Sequence, residues 1–233
     1  MKRVAIHQPL LFPWLGLFHK WASADLLVIH EDCQFKYKEW QNRFAVLCDG
    51  KRQILTASFL KGDKWKPINE VTLRGTADLA HKLRSYYRTT LHQYELDAIC
   101  EVLESGDERP LLGVALQSMI LIAAFLKVSV PTVTVGDMSL EPGLLRNDKV
   151  IAICQATGTT NYLSGTGARK YNDDQRYKDL GIELEYQRFE CQPYHQRAVD
   201  EFVPGLSAVD AILHIGSEAA SRLVHEQVPN GVR

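Results

Sequence analysis

The amino-terminal stretch VAIHQPLLFPWLGLFHKWASADLLVIHED restricts the fold more than any other part of the chain. Its first apolar run, VAIH, is strand-length and stops where Pro9 removes a backbone donor, so His7 and Gln8 stand at a strand's carboxyl end. Pro13 at a first helical position then opens WLGLFHKWASAD, with Leu15, Phe18, Trp21 and Ala22 on one helical face. A second strand, LLVIHED, follows Asp25. Strand, loop, helix and strand in that order form a right-handed crossover, which brings both strand ends, His7 and Asp32, to one rim. In open α/β sheets that edge is where ligands bind.

The rest of the chain extends the pattern. FAVLCDGKRQILTASF reads as two strands joined at Asp49-Gly50, a strong hairpin signal. PINEVTL, residues 67–73, reads as another strand. Residues 76–105 carry helical spacing for one or two helices, Gly106 ends the run, and Pro110 opens the next helix. PTVTVGD is strand-like, a helix is expected over 142–156, and Asn161-Tyr-Leu leads into the glycine-bearing loop SGTGARKY, whose last residues are expected to begin a helix. GIELEYQRF supplies another strand and SAVDAILHIGSEAASRLV closing helices. The expected fold class is α/β: a mainly parallel sheet flanked by helices, with an inserted antiparallel hairpin and a helical middle section, in one domain over residues 1–233.

Charge and cysteine content exclude several classes. With 27 basic and 28 acidic residues the net charge is −1, which gives no broad attraction to nucleic acid or anionic lipid. Cys33, Cys48, Cys100, Cys154 and Cys191 are odd in number and contain no CxxC pair, which argues against a disulfide framework or a thiolate zinc site and fits a cytoplasmic location. The apolar run over 111–128 is broken by Gln117, Ser118 and Lys127 and reads as a core helix, so no membrane span is expected. The three apolar residues before His7 are too few for a secretory signal.

Four separated pieces carry a family resemblance. They are IHQPLLFPWLGLFHKWASADLLVIHED with CQF, WQNR at 40–43, ICQATGTTNYLSGTGARKY, and GIELEYQRF continuing to PYHQRAVDEFVPGLSAVDAILHIG. In order and spacing as well as letters the chain resembles the WbqC-like family. The resemblance implies a bacterial protein found with surface-polysaccharide (O-antigen) genes and a glycine transferase that decorates an amino sugar. Its implied partners are a small-molecule amine acceptor and an activated amino-acid donor, with tRNA as a donor form the one route to nucleic acid. Glu31 and Cys33 stand where the family usually has Asp and an aliphatic residue, and RTTLHQYEL follows Tyr87 in place of a tyrosine-proline stretch.

The candidate catalytic residues are His7 and Asp32. His7 takes a proton near neutral pH, and Asp32 either fixes its tautomer or acts as the base. The bland alternatives are a histidine bonded to a backbone carbonyl and a capping aspartate. Gln8 and Gln34 are candidate substrate contacts at the same strand ends. Trp40, Gln41, Asn42 and Arg43 are four large residues that are costly to bury without partners. There Arg43 would clamp a carboxylate or phosphate, or else pair with Asp32 or Glu31, and Gln41 or Asn42 would steady an oxyanion. Ser164, Gly165 and Gly167 form a loop whose backbone amides an anion can approach. That loop loosely resembles the phosphate loop of HIGH-type nucleotide-binding folds, a fold-level analogy in which Phe12, Pro13 and Trp14 replace a second histidine.

Tyr194, Gln196 and Asp210 recur in the family's last motif; the first two are candidate substrate contacts, and Asp210, three residues after Ser207, reads as a helix cap. His30 and Asp32 share a strand face but lack a third ligand, so no metal is assigned, and the cofactor is left open. Cys33 as a nucleophile lacks a visible base. Two functions follow: an aminoacyl, and by resemblance glycyl, transferase forming an amide on an amine, or a noncatalytic nucleotide-sugar-binding accessory protein. A hydrolase is weaker, since no nucleophile elbow is present.

Overall fold

The computed structural model describes residues 2–229. Chain order runs β1 (Arg3–His7), α1 (Leu15–Ala22), β2 (Leu26–Ile29), the hairpin strands β3 (Arg43–Cys48) and β4 (Lys51–Thr56), then the short β5 (Ser58–Phe59) and β6 (Leu73–Arg74). Helices α2 (Thr76–Tyr86), α3 (Gln93–Glu104) and α4 (Leu111–Phe125) form the middle. They lead to β7 (Thr132–Thr134), α5 (Arg146–Ala156), β8 (Asn161–Ser164), α6 (Asp174–Asp179), β9 (Glu183–Tyr186) and α7 (Ala208–His225).

Five strands lie side by side in the order β7-β2-β1-β8-β9, every pair parallel. The chain winds outward from β1 through β2 to β7, then returns to the other side of β1 with β8 and β9. Winding therefore reverses between β1 and β8, and the loops leaving these neighbours depart toward opposite faces. A crevice opens there at the carboxyl ends, the place where doubly wound sheets hold ligands.

Period-two alternation sorts the strand residues between two cores. Val4, Ile6, Leu26 and Val28 pack with Ile151, Ile153 and Cys154 of α5 and Tyr177 of α6. Ala5, Leu27 and Ile29 point the other way, into a larger core built with α1, α4 and α7. Each fully buried Leu- or Ile-sized side chain contributes roughly 1.5–3 kcal/mol, so both sheet faces hold β1 in place. The hairpin turn has Asp49 at φ 46° and Gly50 at φ 72°, the left-handed pair a two-residue turn needs. Ala45 and Leu47 of β3 pack on Leu206, and Ser207 N–H donates to Ala45 O at 2.7 Å, which ties the hairpin to the start of α7.

Four expectations change. Residues 67–73 form a 3-10 turn over Ile68–Glu70, with strand only at Leu73–Arg74. Their backbone finds partners in loops: Ile68 N–H donates to Cys33 O at 3.0 Å and Asn69 N–H to Glu31 O at 3.2 Å. After the Ser164 loop there is a single 3-10 turn, Thr166–Ala168, and no helix at ARKY. Helix α1 begins at Leu15, after an extended Trp14 (φ −78°, ψ 161°), because Pro13 O accepts from Ala208 N–H at 2.9 Å. Helix α5 begins at Arg146, since Gly143 at φ 82° turns the chain before it. Helix α7 kinks at Gly216 (φ 81°, ψ 160°), where a Cβ would stand 2.6 Å from His92 Cε1. No helix among the described residues is long and apolar enough to cross a membrane.

Candidate active site

The reversal point holds a cavity of about 450 Å³, walled by His7 and Gln8 at the end of β1, Lys20 of α1, and Ser164, Gly165 and Gly167 at the end of β8. A second cavity of about 390 Å³ shares His7, Gln8 and Trp14 and continues to Trp40, Arg43 and Arg52. The two cavities adjoin, and the wall they share is the chain turning from β1 into α1. The imidazole and the later glycines, far apart in sequence, thus face one space.

His7 Nδ1 lies 2.8 Å from Gln8 O, and a carbonyl can only accept, so Nδ1 carries the proton and Nε2 keeps its lone pair. Burial, reinforced by the neighbouring Lys20 charge and only partly opposed by that hydrogen bond, lowers its pKa to about 4. The imidazole is neutral at pH 7. Lys20 is 3% exposed, its Nζ donates to Ile6 O at 2.7 Å, and no carboxylate pairs with it among the described residues. Burial alone takes its pKa down from 10.5 to about 7. Two nitrogen bases of different strength therefore share the cleft.

The shared wall is built with strain. Phe12 sits at φ 43°, a left-handed conformation that costs an aromatic residue on the order of 1–2 kcal/mol. It is held by Ser118 Oγ accepting from Phe12 N–H at 3.1 Å and by Ser207 Oγ donating to Phe12 O at 2.7 Å. The Trp14 ring folds over Gly16, where a Cβ would stand 2.2 Å from it, and meets Phe189 edge-on at 5.6 Å. Only glycine leaves room for the indole there. On the far side, a Cβ at Gly165 or Gly167 would meet nothing within 4 Å, so this loop turns bare backbone toward open space.

The other predicted residues are placed as follows. Gln41 is buried and donates to Gln8 Oε1 at 2.9 Å while accepting from Lys36 N–H at 2.7 Å, so it positions Gln8. Asn42 is buried and donates to Ala57 O at 2.6 Å, bracing the end of the hairpin. Asp32 does not reach His7: it pairs with Lys149 Nζ at 2.7 Å and His30 Nε2 at 3.1 Å, and Gln8 O fixes the His7 tautomer instead. Arg43 pairs with neither Asp32 nor Glu31, whose carboxylate accepts from the amides of Val135 and Gly136 at 3.0 and 2.5 Å. Gln34 is exposed and bridges to Pro67.

Tyr194 donates to Asp210 Oδ2 at 2.7 Å, and Gln196 clasps the backbone of Val203 at 2.8 and 3.0 Å, so both stand outside the cleft. Ser207 caps α7 itself, accepting from Val209 N–H at 3.2 Å. Asp210 is a buried hub, accepting from Leu47 N–H at 2.9 Å and from the Tyr87 hydroxyl as well as from Tyr194. Cys33 lines the cleft, but burial and Asp32 push its thiol up to about 12, so it is no nucleophile at neutral pH.

Sequence reasoning missed Lys20, Trp14 and Arg52. Nothing in the sequence set Lys20 apart, since it lies off the stripe formed by Leu15, Phe18, Trp21 and Ala22.

The model of the WbqC-like protein family matches residues 8–222. A protein of Mycobacterium tuberculosis (strain ATCC 25618 / H37Rv) described as "Uncharacterized protein Rv1507c" is 26% identical over 228 residues, covering 96% of this chain and 98% of that protein. No solved structure gives a significant match.

Proposed function

The chain belongs to the WbqC-like protein family, and from that premise we propose that it transfers an aminoacyl group, glycyl before others, to the amine of a sugar or similar small acceptor. The observation that carries the reading is two nitrogen bases, the neutral imidazole of His7 and the buried Lys20 amine that no carboxylate pairs among the described residues, in a cleft at the sheet's reversal point. An acceptor ammonium is inert until it loses a proton. A base with a pKa of about 7 is matched to that task at physiological pH. Lys20 takes the proton, and His7 Nε2 accepts a hydrogen bond that aims the amine.

The amine nitrogen then forms a bond to the glycyl carbonyl carbon and gives up its second proton to water, and the bond from that carbon to the activating group breaks, its electron pair leaving with the group. Backbone amides at Gly165 and Gly167 face the carbonyl oxygen as it gains charge. The donor is an adenylate, a tRNA ester or a carrier thioester; the near-zero net charge favours the small forms over tRNA.

The test is to incubate the protein with amino sugars and each donor in turn: glycine with ATP, glycyl-tRNA, and a glycyl thioester. Mass spectrometry should find acceptor heavier by one glycyl residue, and His7→Ala should lose turnover while keeping part of its acceptor binding. No product with any donor, together with retained sugar binding, would replace this reading by the accessory-protein one.

A further inference from the structure

The cavity away from Lys20 carries charge without an answer. In the β3–β4 ladder Arg43 faces Thr56 and Leu47 faces Arg52, so Arg43, Ala45, Leu47 and Arg52 project from one face of the hairpin. Both guanidiniums reach the Trp40 ring, with Cζ 5.1 Å from its centroid for Arg43 and 5.5 Å for Arg52. Neither forms an ion pair among the described residues, and the buried Arg43 Nε has no hydrogen-bond partner. The remaining walls include Leu10, Leu11, Phe12 and Leu206. Two cations beside apolar walls, one with an unspent donor, make a receptor for a compact anion with several acceptor oxygens. A cavity of about 390 Å³ admits a small molecule and not a folded acidic partner.

We infer that Trp40, Arg43 and Arg52 hold the phosphate or diphosphate of the amine acceptor, so that the acceptor is a phosphorylated or nucleotide-linked amino sugar. The assignment to the acceptor rests on the transferase reading above; the ligand class rests on the arginines alone. His7, Gln8 and Trp14 border both cavities, so an acceptor lying across them presents its amine to His7 while its phosphate rests on the hairpin. The donor then enters from the glycine loop.

The test is isothermal titration calorimetry on the full chain with four probes: inorganic pyrophosphate, glucosamine 1-phosphate, UDP and AMP. Pyrophosphate and at least one of glucosamine 1-phosphate and UDP should bind at one site. Tighter glucosamine 1-phosphate identifies a sugar phosphate, and tighter UDP a nucleotide-linked sugar. Arg52→Gln, on the exposed strand β4, should weaken binding about tenfold to a hundredfold without altering the fold, and Arg43→Gln with Arg52→Gln should remove it. No binding of any phosphate to the wild type, binding indifferent to both arginines, or binding of AMP alone would overturn the inference. Arginine-dependent binding without glycyl transfer would fell the transferase reading and keep the phosphate site. Transfer undiminished in the double variant would do the reverse.

Discussion

Replacing Lys20 by methionine should make the protein more stable and less active. The folded chain holds this amine where it is 3% exposed, and burial lowers its pKa from 10.5 to about 7. Across that interval the unfolded chain binds the proton and the folded chain does not, so stability rises with pH from about 7 to 10.5. At or below pH 7 the burial therefore costs on the order of 5 kcal/mol, at about 1.36 kcal/mol per pH unit. Methionine removes that cost and also removes the bond to Ile6 O, worth about 1–2 kcal/mol. The net gain is about 3 kcal/mol, or about 6–12 °C in Tm for a chain of this size. At pH 10.5 the lysine is neutral in the folded chain and half neutral in the unfolded one, so little beyond the lost bond remains, and the variant should melt slightly below the wild type. Thermal melts of both proteins at pH 6, 7, 9 and 10.5, followed by circular dichroism, read this directly. A variant that melts lower than the wild type at every pH, with a constant gap, would refute the claim that a buried, uncompensated amine sits in the cleft.

Other consequences can be measured separately. With Lys20 as the base, kcat/KM should rise tenfold per pH unit up to about 7 and then level off, and the rise should be absent from the residual rate of Lys20→Met. His7, lowered to about 4, remains neutral through that range; its linkage removes stability only as pH falls from 6.5 toward 4, and His7→Asn should flatten that acid limb in pH-dependent melts. Gly16→Ala sets a methyl against the Trp14 ring, so steady-state kinetics should show activity down tenfold or more with Tm within a few degrees of wild type. Asp210→Asn weakens a buried acceptor of three hydrogen bonds and should lower stability by about 2–4 kcal/mol in urea titration, with pyrophosphate affinity unchanged.

The strands and the Asp49-Gly50 turn were legible in the sequence because a period of two and a left-handed pair of turn residues are local signals. Strand order is not local. VAIH and NYLS carry no mark that they lie side by side, yet that adjacency makes the cleft. That His7, Gln8 and the Ser164 loop stand at strand ends could be read because each ends a strand abruptly. Lys20 could not, because α1 is buried on all sides, and the stripe of apolar residues gave no hint that the remaining face is also covered. Tyr194 and Gln196 are engaged within the fold for a physical reason. Residues 187–207 contain no helix or strand, and a chain without a ladder must satisfy its backbone through side chains, which is how Gln196 is used on Val203. Asp32 is engaged similarly, since its rim position is real but the buried Lys149 claims its charge.

In the proposed function an amine is acylated in the crevice between β1 and β8, and a crystal structure of the protein with a bound amino sugar phosphate is the test. The amine should lie within hydrogen-bond distance of His7 Nε2, the phosphate against Arg43 and Arg52, and the Gly165 loop should face the amine from the other side. The same ligand seated elsewhere, for instance in the cavity beside Tyr87 and His214, with the crevice unchanged, would contradict it.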